Sequence, residues 1–389
     1  MKIHTLIILS FIVILGMTTG CGRKMPLPAV ESNPESFGAN DTSYTHINPI
    51  WTASVLGYNA PNPMAPMDLV IGADGYIFMA DSANNRVVTL SPSGFVVTIQ
   101  NLNKIAPVHA PTGLAIDAKL NLLMVNGSDT IFVWNQYINN IGVDSVIEEI
   151  VDNHYIFSAN QARIDSLTGI HPFYIDGNPD THFQGVAFGP SEDNVVFVTD
   201  NGNNRIIQLD IGYTGGVKLK NGFIHPTFGS AYAGDIVNYG SGAGTVDNPQ
   251  QITTDENGNI YFTQFGGNFL VQKLEKGSDT YFSSYTLYED PIMDLNRFQM
   301  PYDLALGGND AIFVMDTGSG QVYKFFNKGT RAGQLAPLGK KGLVEAVFER
   351  ALSVAVSDDE MVYVADTRNH QIRRFQFSVS EDDLPVEQP

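Results

Sequence analysis

The amino-acid sequence predicts an all-β fold, a six-bladed β-propeller with four-stranded antiparallel blades. The first observation behind this prediction is a unit that occurs six times: a β-rich run ends in an acid or amide, a polar turn follows, and a second β-rich run begins. The second is the spacing of the copies, which lie 45 to 74 residues apart. The third is a further short β-rich run before each copy, which gives every unit the several strands of a propeller blade.

The first 20 residues have the layout of a secretory signal peptide. Lys2 precedes an apolar run at residues 6–15, which is too short to cross a bilayer core of roughly 30 Å as a helix. Small residues follow, and then Cys21, the only cysteine of the chain. This order is similar to a bacterial lipobox, although Thr18 stands where a leucine is usual, and it predicts that Cys21 is lipidated. An ordinary signal peptide followed by an incidental cysteine is the alternative.

Residues 21–43 are predicted to be a flexible tether, because prolines lie among small and polar residues without the apolar periodicity of a buried core. The propeller is expected over residues 44–379, and residues 380–389 form an acidic tail. Gly22 is not the aspartate that retains lipoproteins at an inner membrane. The sequence therefore predicts a lipid-anchored protein of the cell envelope, outside the cytoplasm, with the outer membrane favoured over the inner one.

Composition excludes several classes of function. A formal net charge of −19 opposes binding to nucleic acid, because lysine and arginine make the contacts to phosphate. A single cysteine excludes an intramolecular disulfide and a cysteine-based zinc site. The acidic balance is interpreted as a solubilising surface. We expect a monomer that contacts the membrane only through its lipid.

The six copies keep the repeated pattern to different degrees. The first, third and sixth are the most complete, at residues 75–90, 197–209 and 361–375. The fifth keeps its aspartate but has Gln321 in place of arginine, and the second and fourth end their first run in an amide. The equivalent positions at the end of that run are Asp81, Asn126, Asp200, Gln264, Asp316 and Asp366.

The polar insertion between the two runs is predicted to be mainly a structural turn. An aspartate at the strand end can accept hydrogen bonds from backbone N–H groups of the turn, and asparagine and glycine tolerate left-handed dihedrals there. Arg86 and Arg205 are placed to cross the turn and neutralise Asp81 and Asp200.

The last blade needs a strand from the beginning of the domain. The sixth copy supplies three strands and ends near Phe377, which would leave an open sheet edge. Residues 51–57 are β-rich and precede the first inner strand, so we predict that they form the fourth strand of that blade.

Two intervals, residues 135–181 and 210–248, are longer than a blade connection requires. Loops of this length are often functional or disordered. A short helix is expected at residues 143–153.

The residues that open the inner strands of a propeller ring one mouth of its central channel, where ligands commonly bind. Here that ring offers carboxylates, amides and hydroxyls, with two histidines in the loops just upstream. A polar ligand site and a solvated rim are both compatible with this set. The candidate ligand-binding residues are Asp68, His109, Thr112, His182, Gln184, Gln250, Gln251, Tyr302 and Asp303, and Ser353 belongs to the same ring.

The repeated unit resembles the NHL repeat, which reads roughly P-x-G-I-A-V-D, then G-x-I-Y-V-A-D, then N-x-R-I-x-x-F. The resemblance covers about residues 50–377 and implies an NHL/TolB-like six-bladed propeller, while it says little about chemistry. Some NHL-type propellers are zinc-dependent amidating lyases with histidines at several inner-strand openings. The matching positions here hold no histidine, which makes a three-histidine zinc site improbable. They are Met67, Thr112, Gln184, Gln250, Tyr302 and Leu352.

Related six-bladed lactonases and esterases bind calcium in the channel through oxygen ligands. Asp68, Gln251 and Asp303 would supply such oxygens, but the glutamate and paired asparagines expected of that group are missing from the ring. We therefore expect no cofactor, with calcium as the open alternative.

The favoured function is a binding or scaffold module for a protein, peptide or glycan ligand at the channel mouth. The alternative is a metal-dependent hydrolase or lyase, similar to a lactonase or esterase, with its site in the central channel. No catalytic residue is assigned, because the ring shows no clear set of metal ligands and the chain has no G-x-S-x-G nucleophile motif.

Overall fold

The structure is a computed structural model, and it describes residues 43–57, 59–101, 109–278, 280–283, 285, 291–308, 310–326, 331–332 and 348–378. The predicted signal peptide, Cys21, nearly all of the tether and the acidic tail lie outside these residues. None of the helices within them has the length and apolar character needed to cross a membrane.

Short strands joined by turns make up most of the described chain, and they associate into antiparallel sheets. The chain enters with the strand β1 and a one-turn helix, at Ser43–Thr52 and Ala53–Leu56 (α1). Sheet one contains β2 (Pro66–Ile71), β3 (Ile77–Asp81), β4 (Arg86–Leu90) and β5 (Val96–Asn101). Sheet two begins with β6 (Gly113–Ile116), β7 (Asn121–Val125) and β8 (Thr130–Asn135).

An insertion follows before sheet two is completed. It consists of α2 (Gln136–Ile141), β9 (Ile147–Val151), β10 (His154–Ser158) and α3 (Gln161–Thr168). The outer strand of sheet two is then β11 (His171–Ile175). Sheet three contains β12 (Phe183–Phe188), β13 (Val195–Asp200), β14 (Arg205–Lys218) and β15 (Ile224–Val237). The strands β9 and β10 extend it to six, in contrast to the four strands predicted for each blade, because β9 pairs with the far end of β14.

Sheets four to six have short strands. Sheet four contains β16 (Pro249–Thr254), β17 (Ile260–Gln264), β18 (Val271–Lys276) and β19 (Tyr281–Phe282). Sheet five contains β20 (Pro301–Leu306), β21 (Ile312–Asp316), β22 (Gln321–Phe326) and β23 (Arg331–Ala332). Sheet six contains β24 (Ser353–Val356), β25 (Met361–Asp366) and β26 (Gln371–Ser378), and its fourth strand is β1.

The first strands of these sheets contact one another in sequence. Among the described residues, β2 contacts β6, and the contacts continue through β12, β16, β20 and β24 back to β2. β1 pairs with β26 from Ser43 opposite Ser378 to Thr52 opposite Gln371. The sequence placed the N-terminal strand too late, because only Trp51 and Thr52 of the predicted segment 51–57 belong to β1 and the following four residues form α1.

Apolar side chains fill the space between neighbouring sheets. The strand β3 illustrates this arrangement, because its run Ile77–Ala80 is apolar throughout and fully buried. Phe78 packs with side chains of sheet two, whereas Met79 packs with side chains of sheet six. A strand covered on both faces needs continuous rather than alternating hydrophobicity. The sequence pattern predicted this burial correctly.

The predicted link between strand end and turn is confirmed. The nitrogen Nε of the arginine donates to Oδ2 of the aspartate at 2.8 Å in both predicted pairs, Arg86–Asp81 and Arg205–Asp200. The other oxygen of Asp200 accepts the backbone N–H of His182, in the loop that enters β12. Each link therefore joins the turn after the second strand to the loop before the first strand of the same sheet.

The helix expected at residues 143–153 is absent from the structure, which has β9 and part of its hairpin there. Asp152 and Asn153 join β9 to β10 with positive φ values of 48° and 61°. Two residues in this conformation make a tight hairpin turn that suits the twist of the strands, and Asp and Asn tolerate it. β9 also pairs with the far end of β14, so the two long intervals of the sequence form one structural unit.

Candidate functional site

The first strands of sheets one, three, four and five each begin with an irregular step in their pairing with the second strand. The pairing register shifts between Pro66 and Asp68 in β2, and between Pro301 and Asp303 in β20. β12 and β16 show the same irregularity at their openings. A β-bulge opposes two residues to one on the partner strand and redirects their side chains. Two consecutive residues at each opening therefore have side chains at different levels. We call the level of the first residue, such as Tyr302, the outer layer, and that of the second residue, such as Asp303, the inner layer.

Asp68, Asp303 and Ser353 come together in the inner layer, where sheets five, six and one meet. The hydroxyl of Ser353 donates to Asp68 Oδ1 at 2.9 Å. The N–H of Leu114 in β6 donates to Asp68 Oδ2 at 2.6 Å, and the N–H of Val354 in β24 donates to Asp303 Oδ2 at 2.9 Å. Each carboxylate thus links its own strand to the first strand of the next sheet in the ring.

Burial determines the protonation of this pair. Asp68 is 4% exposed and Asp303 is 6% exposed. Burial raises the pKa of Asp68 well above its usual range, and the charge of Asp303 raises it further. Burial also raises the pKa of Asp303, to about 7, although the backbone hydrogen bonds from Val354 and Leu304 act in the opposite direction. The pair therefore holds a proton at neutral pH.

Gln251 fills the other half of the inner layer. Its Nε2 donates to the carbonyl oxygen of Thr112, in sheet two, at 3.0 Å. Gly113 and Gly185 occupy the positions equivalent to Asp68 and Asp303, and a Cβ at either glycine would lie 3.3 Å or 2.7 Å from Gln251 Oε1. Because sheets two and three have glycine at these positions, they leave room for the Gln251 side chain of sheet four. The inner layer consequently has an acidic half and an amide half.

The outer layer contains a hydrogen bond between distant sheets. Gln184 Nε2, in sheet three, donates to the phenolic oxygen of Tyr302, in sheet five, at 2.7 Å. Burial, together with the nearby carboxylates, raises the pKa of Tyr302, so the phenol is neutral at physiological pH. The hydroxyl of Thr112 lies 3.4 Å from the carbonyl oxygens of Val125 and Gln184. Gln250 points back to its own loop, where its Nε2 donates to Asn248.

The two candidate histidines lie apart from the carboxylate pair. His109 and His182 are both exposed. The carbonyl of His109 accepts a hydrogen bond from Asn126 at 3.1 Å, and the N–H of His182 donates to Asp200. Neither imidazole has a hydrogen bond to Asp68 or Asp303 among the described residues. The structure therefore joins most of the predicted ring residues but leaves these two on the rim.

Sequence reasoning missed Arg350. It is exposed, it adopts a left-handed conformation with φ of 58°, and it lies in the turn before β24. Its charge acts to lower the pKa of Tyr302, against the larger effect of burial. The sequence did contain a signal for it, because Arg350 is a basic residue just before Ser353 in an acidic chain.

Comparison with known proteins identifies the repeat. Residues 348–375, which contain all of β24 and β25 and most of β26, match the family model of the NHL repeat. A stretch of 144 residues is also 31% identical to the probable peptidyl-alpha-hydroxyglycine alpha-amidating lyase pgal-1 of Caenorhabditis elegans. That match spans 36% of this chain and 41% of the lyase, so the chain covers about two fifths of that relative. Together the two findings support an NHL-repeat β-propeller.

Solved structures show similarity of fold. A protein of unknown function from Bacteroides thetaiotaomicron is 12% identical and has a TM-score of 0.51, over 88% of this chain and 75% of that chain. Virginiamycin B lyase from Staphylococcus aureus is 15% identical with a TM-score of 0.46, over 82% of this chain and 83% of that chain. At such identity the likeness to the Bacteroides protein concerns the fold alone.

Proposed function

We propose that this chain is a closed six-bladed NHL-type propeller that serves as a binding or scaffold module for a protein, peptide or glycan. In this proposal Cys21 carries the lipid that holds the module in the cell envelope. The circular order of contacts among the first strands, and the pairing of β1 with β26, support six blades and closure. Incorporation of a labelled fatty acid that is lost on Cys21→Ala would test the anchor.

The observation that carries the proposal is the engagement of the channel groups with one another. Ser353 is the residue beside a carboxylate that most resembles a nucleophile with its base. Its side chain is 0% exposed, however, and its hydroxyl donates to Asp68 while accepting the N–H of Leu69 at 3.0 Å. Asp303 and Gln251 are likewise committed to backbone groups of other sheets. These contacts position strands, and they leave the exposed rim as the surface for a ligand.

The rim offers hydrogen-bonding groups suited to amides and hydroxyls. His109, His182 and Arg350 are exposed, and Thr112 and Gln184 are half-buried. Imidazole and guanidinium groups donate to the carbonyls and hydroxyls of peptides and glycans. The net charge of the chain disfavours polyanionic partners.

A direct test combines binding and turnover. Mature protein is applied to glycan and peptide arrays as wild type, as the double variant His182→Ala/Arg350→Ala, and as the control His154→Ala, which alters an exposed histidine in β10. We expect array signals that fall at least tenfold in the double variant and persist in the control. Turnover of a lactone, an aryl ester or a peptidyl-α-hydroxyglycine that disappears in Asp303→Asn would contradict the proposal.

The second candidate is a metal-dependent hydrolase or lyase, which the partial match to an amidating lyase favours. The residues do not fit a zinc ion, because the described chain has no group of three or more His, Cys, Asp or Glu side chains placed to hold a metal. Calcium stays a prediction that rests on the oxygens of Asp68, Asp303 and Gln251. Most of these oxygens already accept backbone or hydroxyl hydrogen bonds. We therefore expect added calcium to leave the melting temperature unchanged, and a saturable rise would favour this candidate.

A further inference from the structure

A cavity of about 620 Å³ lies at the end of the first strands opposite to the rim. The turns between the first and second strands of sheets two, three and four form its floor. β12 begins at Phe183, next to the rim residue His182, and ends at Phe188, which lines the cavity. The cavity is therefore separated from the proposed rim site by the length of a strand. Its volume falls within the roughly 300–1,000 Å³ that is typical of small-molecule sites.

The two long intervals of the sequence build the roof of this cavity. Ile138 of α2, Leu167 of α3 and Phe173 of β11 line it from one side, and Phe228 of β15 lines it from another. Ile138 and Leu167 also belong to a hydrophobic cluster that the insertion shares with β14. The roof is thus held by its own small core. The insertions therefore enclose a cavity, which a short connection between sheets two and three would not do.

The wall exposes more apolar than polar surface, and several of its polar groups bind one another. Asp117 accepts the backbone N–H groups of Lys119 and Asn121, and Asn121 accepts a hydrogen bond from Asn135. The hydroxyl of Thr254 donates to a backbone carbonyl. What remains for a ligand is chiefly the aromatic and aliphatic surface that includes three phenylalanines, at positions 173, 188 and 228.

Several charged groups at the wall also have partners. Arg163 Nη2 lies 2.6 Å from Glu149 Oε1, and Lys119 Nζ lies 5.0 Å from the centre of the Phe228 ring. Burial lowers the pKa of His171, so this lining histidine is neutral at physiological pH. An anionic ligand would have to break the pairing of Arg163 and would also meet the carboxylates of Asp117 and Asp255, which line the cavity. A neutral ligand avoids both costs.

We propose that this cavity is a binding site for one neutral, mainly apolar small molecule that carries an aromatic or aliphatic body. The site is separate from the rim and does not depend on the function proposed there. The aromatic wall supplies the affinity through burial of apolar surface, and the insertions shape the entrance.

The test uses N-phenyl-1-naphthylamine, a neutral probe that fluoresces in apolar surroundings, together with its sulfonated anionic analogue 1-anilinonaphthalene-8-sulfonate. Ala118→Trp places a large ring into the cavity from an exposed turn of sheet two. Ala73→Trp makes the same change in the equivalent exposed turn of sheet one, away from the cavity, and serves as the control. Melting temperatures of both variants verify that the fold is retained.

We expect saturable binding of the neutral probe at one site per chain, weakened at least tenfold by Ala118→Trp and unchanged by Ala73→Trp. The anionic analogue should bind at least tenfold more weakly to the wild type. Absence of saturable binding, equal loss in both variants, or equal affinity for the two probes would each overturn the proposal.

Discussion

At the scale of single residues, the junction of sheets five, six and one contains two carboxylates that are buried without a basic partner among the described residues. Asp68 and Asp303 hold neighbouring strands together through backbone N–H groups. Full ionisation of both would leave two negative charges in a buried site. Burial raises the pKa of both carboxylates, so the pair keeps a proton and the site does not carry the second negative charge.

This arrangement predicts a dependence of stability on pH. The folded-state pKa of Asp303 is about 7, above the usual value of 3.8, so the folded chain binds the proton more tightly than the unfolded chain. The resulting stabilisation is complete below the unfolded pKa and is lost as pH rises through the folded pKa. Between pH 5 and 7 it should decrease by up to about 1.4 kcal/mol per pH unit for one carboxylate. Urea denaturation at pH 5, 6, 7 and 8 measures it.

Asp303→Asn removes this titration, and the slope of its unfolding free energy against pH should be smaller than that of the wild type. Asp358→Asn, at an exposed turn, should keep the wild-type slope. Identical slopes for the wild type and Asp303→Asn would show that the carboxylate does not bind the proton as described.

At the scale of elements, the openings of the first strands decide which side chains meet. Gly185 follows the register shift in β12, and a Cβ there would lie 2.6 Å from the carbonyl oxygen of Gln250 and 2.7 Å from Gln251 Oε1. The first of these atoms belongs to the backbone of β16 and cannot move independently. Glycine is required at this position because two strands approach closely, and its φ plays no part.

Gly185→Ala is therefore expected to destabilise the protein by about 1–3 kcal/mol through overpacking. Gly212→Ala is the matched control, because Gly212 also lies in a strand of sheet three but a Cβ there meets nothing within 4 Å. Its effect should stay within about 0.5 kcal/mol. Chemical denaturation of the two variants measures both values, and equal effects would contradict the proposed close packing.

The individual strands show which elements the sequence predicted and which it did not. Runs such as Ile77–Ala80 were predictable because burial on both faces demands continuous apolar residues. The strand β9 was missed because IEEIV fits a helical and an extended interpretation equally, and the decisive signal was the Asp152–Asn153 turn that follows. The start of β1 was placed too late because its polar residues pair with β26 through the backbone, which leaves little trace in side-chain pattern.

At the scale of the whole molecule, the repeats predicted which positions open the first strands, and the structure brings Asp68, Asp303 and Ser353 together from distant parts of the sequence. The complementarity of Gln251 with Gly113 and Gly185 could not be predicted, because it depends on distances across the ring rather than on any one repeat. The cavity beneath the insertions was likewise beyond the sequence. The repeats determine the common fold, whereas the insertions determine features that differ between proteins of that fold.

The first and last strands of the described chain pair with each other in sheet six. Trp51 of β1 is 1% exposed, and the guanidinium of Arg374 in β26 lies 4.3 Å from the centre of its ring. Its other neighbours include Leu56 of α1 and Tyr363 of β25, within a cluster that joins sheets six and one. Removal of residues 44–58 would expose this cluster and leave β26 as an open edge.

We expect this deletion to lower the melting temperature by at least about 10 °C, because loss of a buried tryptophan alone typically costs about 3–5 kcal/mol. Trp51→Ala should reproduce part of the decrease without shortening the chain. Removal of residues 380–389 is the control for truncation as such and should leave the melting temperature unchanged. An undiminished melting temperature after removal of residues 44–58 would mean that sheet six is stable with three strands, and that β1 is an accessory to the ring rather than its closure.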